Sequence, residues 1–491
     1  MQKLDNLLWG FVLCSLMACS NKQKEVYVNS CTFPEGASLK EKVRLSAHVV
    51  PSARQLEWQQ MEFTGFICYG INTFTDMEWG TGKEDPAIFN PTELDAGQWV
   101  RTAKEAGMKM ILLTCKHHDG FCLWPSAYTD FSVASSPWKE GKGDLVRDVS
   151  DACKEQGLKF AVYLSPWDMN HSDYGTEQYN DFFVNQLTEL LTQYGRVDEV
   201  WFDGACGEGP NGKKQVYDFK RYYEVIRRLQ PQAVIAVMGP DVRWVGTESG
   251  YGRDTEWSTL PATAANLSDI AESSQQEAGS GTFLPVGNMM ENDLGSRKLL
   301  ADAKGVIWYP SEVDVSIRPG WFYHASEDTL VKTPQKLIDI YYSSVGKNSL
   351  LLLNLPPDKR GVIHENDVSS LMNMQRILRN TFEKNLTDGA KISFGKNEIG
   401  VSFGEEREFD RLLLQENITE GQRIEKFVLE CRVDTEWIPV AEGTTVGYKR
   451  ILRFDPVRCC EARIVIKETR DVPQISEIGF YKASEEETVK E

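Results

Sequence analysis

Short runs of continuous apolar residues alternate with amphipathic stretches through the middle of this chain. FTGFICYG (63–70), MKMILLTCK (108–116), LKFAVYLSP (158–166), VDEVWFDG (197–204), AVIAVMGP (233–240), GVIWYP (305–310) and SLLLLNLPP (349–357) read as strands, several of them apolar on both faces. Between them, residues 93–107, 144–157, 177–195, 217–230 and 333–348 repeat apolar positions at helical spacing, with Gly157 and Gly195 closing two of the helices. Strands alternating with helices predict a parallel sheet with crossover connections. Seven or eight such units over residues 45–362 favour a closed (β/α)8-like TIM barrel. No GxGxxG follows the first strand, which weakens a nucleotide-binding alternative.

Residues 363–385 read as a helical connection, and the pattern then changes. From 386 to 491 come short alternating runs, among them KISFG, IGVSFG, RLLLQE, KFVLECRV, RILRFD and ARIVIKE. Their spacing predicts an antiparallel β-sandwich. The expected fold is therefore α/β: a TIM barrel followed by a C-terminal β-sandwich. No binding cluster stands out in the second domain, so bracing the barrel is its expected role ahead of binding carbohydrate.

The N-terminus carries a different signal. MQKLDNLLWGFVLCSLMACS has an early Lys, an apolar run from Leu7 to Ala18 too short to span a bilayer, and small residues before Cys19. Leu16-Met17-Ala18-Cys19 resembles a bacterial lipobox. That resemblance implies a signal over 1–19, a lipid on Cys19, and an exported lipoprotein in the periplasm or on the cell surface. Residues 20–44 are polar and mixed, as a tether would be.

Length and composition narrow the function. The 491 residues suggest two or three domains, and 41% hydrophobic with 26% charged residues is ordinary for a globular chain. A formal net charge of −18 argues against a nucleic-acid partner, since phosphate contacts need basic patches. It also gives no polybasic membrane surface, which leaves the lipid as the expected membrane contact. The 11 cysteines show no CxxC pair and no zinc-like spacing, so neither a disulfide framework nor a metal or other cofactor is expected.

Barrel enzymes keep their chemistry at the C-terminal ends of the strands. Read in order, those ends offer Asn72, Glu78 and Trp79; His117, His118 and Asp119; Trp167 and Asp168; the WFDG of 201–204; Trp244 and Glu248; and Glu312, Arg318, Trp321 and His324. Each alone has an ordinary structural reading. Asp203-Gly204 could be a turn, Trp79 could be core, and each His a satisfied polar residue. Their convergence is what a pyranose site requires. Indoles stack on a sugar face, imidazoles and carboxylates bond hydroxyls, and two carboxylates do the chemistry. A metal is the competing use of His117-His118 beside Asp119. Neighbouring strand residues point to opposite faces, so joint ligation is disfavoured.

Together, EWG at 78–80, KHHDGF at 116–121, WFDG at 201–204 and LLLNLPPDKRG at 351–361 resemble the α-L-fucosidases of glycoside hydrolase family 29. NTFTDMEWGTG, YLSPWDMNH, RWVGTESG and SIRPGWFYH resemble its second subfamily, which prefers α-1,3- and α-1,4-linked fucose on branched glycans. The resemblance implies a retaining, exo-acting hydrolase with Asp203 as nucleophile and Glu248 as acid/base. It implies sugar contacts from Glu78, Trp79, His117, His118, Tyr163 and Trp201, and fucosylated glycans as partners. Trp321 and Asn72 join the expected sugar contacts from their places at strand ends. Asn72 stands where the first subfamily has a His, which leaves its role open. Glu312 rivals Glu248 as acid/base, with Glu256 and Glu291 behind it. Trp201 should share a strand face with Asp203 while Phe202 faces the outer core. The retaining geometry would place the two catalytic carboxyls roughly 5–5.5 Å apart. Three other readings stay open: a fucosidase that also accepts α-1,2 linkages, a different retaining glycosidase such as an α-galactosidase, and a non-catalytic glycan-binding lipoprotein.

Overall fold

Eight short parallel strands form the centre of the computed structural model, which describes residues 27–262 and 292–487. In chain order they are β1 (Phe63–Ile67), β2 (Met110–Lys116), β3 (Lys159–Leu164), β4 (Glu199–Phe202), β5 (Val234–Val237), β6 (Arg243–Trp244), β7 (Ser311–Ser316) and β8 (Leu350–Asn354). They pair in the order β5-β4-β3-β2-β1-β8-β7-β6, and a bridge between Ala236 and Val242 brings the two ends together. The result is a nearly closed TIM-like barrel. Helices Ala96–Glu105, Leu145–Gln156, Glu177–Gln193 and Phe219–Leu229 link the first five strands, and Pro334–Ser344 links β7 to β8. Asp95, Asp144, Asp218 and Thr333 cap four of them, each accepting the N–H three residues on.

Side-chain alternation explains why these strands are apolar on both faces. Ile111, Leu113, Val162, Val200, Phe202 and Leu351 face outward and pack with helix residues such as Trp99, Val149, Leu187 and Ile226. Phe66, Met110, Leu112, Tyr163, Trp201, Ala236 and Leu352 form a separate inner cluster.

The sequence reading and the structure part in three places. The run at 305–310 is not a barrel strand. Gly305–Trp308 pairs antiparallel with Ser30–Thr32 and with Thr259–Ala262 in a small separate sheet. The barrel strand is the next segment, SEVDVS, which had read as a strand-end loop. Its apolar residues Val313 and Val315 face the outer helices, while Glu312 and Asp314 are buried on the other face. Second, β5 and β6 are joined by residues 238–242 with no crossover helix. Third, the part of the expected tether that is described, residues 27–44, packs on the barrel. Phe33 and Val43 are buried with Leu300, Val306 and Trp308, and helix Leu39–Ser46 is capped by Ser38. The signal at 1–19, Cys19 and Glu291 lie outside the described residues. Among the described residues, no helix is long and apolar enough to cross a membrane.

Helix Glu365–Phe382 leads to the antiparallel domain. Its strands are β9 (Lys391–Phe394), β10 (Glu398–Glu416), β11 (Ile424–Val433), β12 (Glu436–Gly443), β13 (Arg450–Thr469) and β14 (Ile475–Tyr481). β10 and β13 are 19 and 20 residues long and serve both layers. One half of each lies between β9 and the β11–β12 hairpin, and the other half of β10 pairs with β14. Register shifts at Ser402/Arg407 and Phe409/Arg411 mark where the strands bend. The two layers close on Phe403, Phe409, Leu429, Ile464 and Phe480.

One buried ion pair anchors the top of the barrel. The Lys116 ammonium is fully buried at the end of β2, 3.0 Å from Asp168 Oδ2 and surrounded by the rings of Tyr179, Phe182 and Phe183. Burial pushes the Asp168 carboxyl up, but Lys116 and the N–H groups of His171 and Asn170 outweigh it and hold the carboxylate below its usual range. Lys116→Met should lower stability by about 3–5 kcal/mol, because Asp168 is left buried without a cation. Urea denaturation at pH 7 measures it. A loss within the range of surface pairs, under about 1 kcal/mol, would show that the pair does not anchor this end.

Candidate active site

Asp203 takes its place from the alternation along β4. Val200 and Phe202 point outward, where Phe202 meets Phe183, Phe219 and Tyr222. Glu199 and Trp201 point inward, and Asp203 follows them at the rim. Its Oδ1 accepts the Ala205 N–H at 2.7 Å and its Oδ2 accepts the Tyr163 hydroxyl at 2.9 Å. Tyr163 sits on β3 directly opposite Trp201, and the two rings stack 5.1 Å apart at 24°. Both carboxylate oxygens are therefore fixed.

His117 and His118 lie beside this acid. Their expected divergence does not occur. The β2 ladder shifts register between Thr114 and Lys116, the strand ends there, and strand alternation no longer governs the next two residues. The imidazoles lie side by side, 4.1 Å apart, and both line the cleft. Ser165 Oγ donates to the Trp167 carbonyl at 2.7 Å, so at its 2.7 Å contact with His118 it accepts from Nδ1–H. That leaves His118 Nε2 as a lone pair, 3.8 Å from Asp203 Oδ2. Burial, then the Lys116 charge, pushes His118 down to about 3. Burial, then His118, lowers His117 as well. Both rings are neutral near pH 7 and present hydrogen-bonding groups without charge.

The opposite wall is built by the loops after β1, β6 and β7. Glu248 Oε2 accepts the Trp321 indole N–H at 3.1 Å. Glu78 takes the backbone N–H groups of Trp321 at 2.8 Å and Phe322 at 3.2 Å. His324 bridges Glu78 and Asp76 at 2.7 and 2.8 Å. Trp79 is 57% exposed at the mouth, edge-on to His118 and to Trp167. Asn72 lies behind this wall and does not line the cleft. It donates to Asp119 Oδ2 at 3.1 Å and to the Glu78 carbonyl at 3.4 Å. A Cβ on Gly80 would come within 2.7 Å of Asn72 Oδ1, so EWG ends in glycine for want of space.

These groups enclose a cleft of about 620 Å³. Asp203, Glu248, Glu78, Trp79, His117, His118, Tyr163, Trp201 and Trp321 all line it. Every lining residue lies between Phe66 and Trp321, so the described part of the C-terminal domain contributes none. Sequence reasoning missed Phe66, Cys68, Ala205, Val237, Met238 and Asp314, several of which make an apolar wall. Asp314 accepts the Trp244 indole N–H at 2.8 Å, and burial holds its carboxyl well above the usual range. Val237 adopts φ 64°, a rare conformation for a β-branched residue, where the chain turns sharply into 238–242.

Other strand-end candidates lie outside the cleft lining. Glu312 is fully buried inside the barrel and does not line the cleft. Glu256 is buried between Arg243 and Arg253, with its backbone held by Thr445 and Gln422 of the C-terminal domain. Arg318 is paired with Asp367 and Asp328. Asp119 is buried and pushed up to about 7.

Comparison with known proteins agrees with this geometry. Residues 52–382 match the family described as Alpha-L-fucosidase. Alpha-L-fucosidase 1 of Arabidopsis thaliana is 42% identical over 468 residues, which is 88% of this chain and 87% of that protein. A crystal structure from Bacteroides ovatus, given as a provisional α-L-fucosidase, shares 51% identity at a TM-score of 0.86, over 95% of this chain and 80% of its own. A Ruminococcus gnavus family 29 fucosidase solved with fucose shares 30% identity at 0.78, over 89% and 96%.

His324 supplies a pH test. Burial opposes its charge, but hydrogen bonds from its ring N–H groups to Asp76 and Glu78 outweigh this and raise its pKa. The stabilisation is full below the ordinary imidazole pKa of about 6.5 and is lost as pH rises through the raised folded value. His324→Asn should therefore lower Tm more at pH 5.5 than at pH 9, read by differential scanning calorimetry. Equal losses at both pH values would remove the charged bridge from the account.

Proposed function

The chain belongs to the α-L-fucosidase family, glycoside hydrolases that cleave fucosides, and from that premise we propose an exo-acting retaining enzyme for α-1,3- and α-1,4-linked fucose on branched, Lewis-type glycans. The observation that carries the reading is Asp203, held by Tyr163 and Ala205 in one cleft with Glu248.

In this proposal Asp203 attacks the anomeric carbon while protonated Glu248 gives its proton to the leaving oxygen. The glycosidic bond breaks and a covalent fucosyl-Asp203 ester forms. Glu248, now a carboxylate, takes a proton from water as the water attacks that carbon, and Asp203 leaves as carboxylate. The fixed Asp203 oxygens suit in-line attack, because little reorganisation remains. Glu248 is exposed and bonded to one indole. It can meet both a leaving sugar and an entering water. Neutral His117 and His118, with Glu78, would bond fucose hydroxyls. Phe66, Val237 and Met238 suit the C5 methyl that distinguishes fucose from galactose. Trp79 and Trp321 would stack on the sugars. The linkage preference rests on NTFTDMEWGTG, YLSPWDMNH and RWVGTESG, and acceptance of α-1,2 linkages is the alternative. We also propose an exported lipoprotein anchored through Cys19, on the strength of LMAC at 16–19.

Fucose release from Lewis a and Lewis x trisaccharides, 2′-fucosyllactose and an aryl α-L-fucoside tests the reading. Lewis sugars should be the preferred natural substrates. Asp203→Ala should lose about 10³–10⁴-fold in kcat. Glu248→Ala should lose about 10²–10⁴-fold on Lewis sugars, with azide restoring turnover of an aryl fucoside. Preference for 2′-fucosyllactose would overturn the linkage, and azide rescue of Glu256→Ala but not Glu248→Ala would move the acid/base.

A further inference from the structure

Directly below the cleft, two carboxyls face each other inside the barrel. Glu199 opens β4, and Glu312 reaches in from β7 across the barrel. Neither has any exposed surface. Glu199 Oε2 accepts the Trp58 indole N–H at 2.6 Å, and Glu312 Oε1 accepts the Trp201 indole N–H at 2.7 Å. The other two oxygens, Glu199 Oε1 and Glu312 Oε2, are buried with no other donor, and the two side chains are within hydrogen-bonding reach. Among the described residues, no cation is paired with either of them. Asp198 beside Glu199 adds negative charge and spends its own partners, Lys159 and Arg196, at the barrel's lower rim. Met110, Val234 and Leu350 belong to the same inner apolar cluster as Trp58 and Trp201, which hold the two acids. Two facing lone pairs in such a place repel unless a proton lies between them.

We propose that Glu312 and Glu199 share a proton and act as positioning residues for the reaction, holding the Trp201 indole so that Tyr163 stays aimed at Asp203. The inference rests on the reading of Asp203 as nucleophile. The path is short and every link is a direct contact. Glu312 fixes the Trp201 N–H. The Trp201 ring stacks on Tyr163 and leans on Phe66. The Tyr163 hydroxyl donates to the Asp203 oxygen. Burial pushes Glu199 up to about 8 and Glu312 well above the carboxylate range, in keeping with a retained proton. An arginine in place of either acid would satisfy the oxygens, but it would also bring a charge beneath the nucleophile. A proton-linked acid pair supplies acceptors for two indoles and places no cation there.

The test uses the whole chain and an aryl α-L-fucoside. Glu312→Gln preserves both roles, since its amide N–H₂ can donate to Glu199 and its carbonyl can accept from Trp201. It should keep most of the wild-type kcat. Glu312→Leu should lose about 10–100-fold in kcat with a smaller change in KM. In a Trp201→Phe background the same Glu312→Leu change should cost less than about 3-fold, because the indole link is already gone. Infrared spectroscopy at pH 7 should show a protonated-carboxyl band that weakens in Glu312→Gln, a readout that survives if Glu312→Leu fails to fold. Equal Glu312→Leu losses in both backgrounds, a Gln variant as impaired as Leu, or an unchanged infrared band would overturn the pair's role. Absence of fucose release by the wild type would instead sink the function, and the infrared result would still decide the shared proton.

Discussion

Carboxyl groups in this barrel are held by indole N–H groups. Trp58 holds Glu199, Trp201 holds Glu312, Trp244 holds Asp314, Trp321 holds Glu248, and outside the barrel Trp124 holds Glu189. An indole donates one hydrogen bond and carries no charge. It orients an acid without neutralising it, which an arginine cannot do. Burial raises the carboxyls of Glu199, Glu312 and Asp314 above their ordinary range. Among the described residues, the upper-barrel cations Lys116, Arg318 and Arg243 are already paired, although Arg243 itself lines the cleft. Lys116 is spent on Asp168, Arg318 on Asp367, and Arg243 on Glu256. The cleft thus contains acids, neutral imidazoles and aromatic faces.

The C-terminal domain supports this arrangement from outside. Thr445 and Gln422 bind the backbone of Glu256, whose carboxylate meets the Arg243 side chain in β6. β6 has two residues and no helix before it, so it has little of its own to hold it. The bracing role expected from sequence thus has a concrete point of application at the weakest part of the barrel.

Much of the cleft was legible because its residues follow strands with strong apolar signals. WFDG follows β4, KHHDGF follows β2, and Tyr163 lies within β3. What was not legible had a specific cause each time. SEVDVS alternates polar and apolar residues, which ordinarily marks a strand with one face in water. Here the polar face is buried inside the barrel, so the neighbouring run GVIWYP looked the better strand. Glu312 then seemed to be at a strand end, when it lies within one. The His pair misled because the strand ends at Lys116, after a register shift at Cys115, and alternation does not carry over to the two residues beyond it. Val237 and Met238 carry no motif, and their place in the cleft comes from a turn visible only in three dimensions. The N-terminal segment looked like linker because Phe33 and Val43 are isolated apolar residues in a polar stretch. Each finds its partners hundreds of residues away.

That N-terminal segment sets a limit on reach. Ser30–Thr32 is stitched to the barrel's small sheet, and the described residues begin at Tyr27. If Cys19 carries a lipid, seven residues, 20–26, separate it from Tyr27. Eight steps from Cα to Cα, at roughly 3.5 Å each, could span no more than about 28 Å. An enzyme so moored would graze the layer of glycans next to its own membrane. Fucose farther out would have to be carried to it on fragments already cut loose.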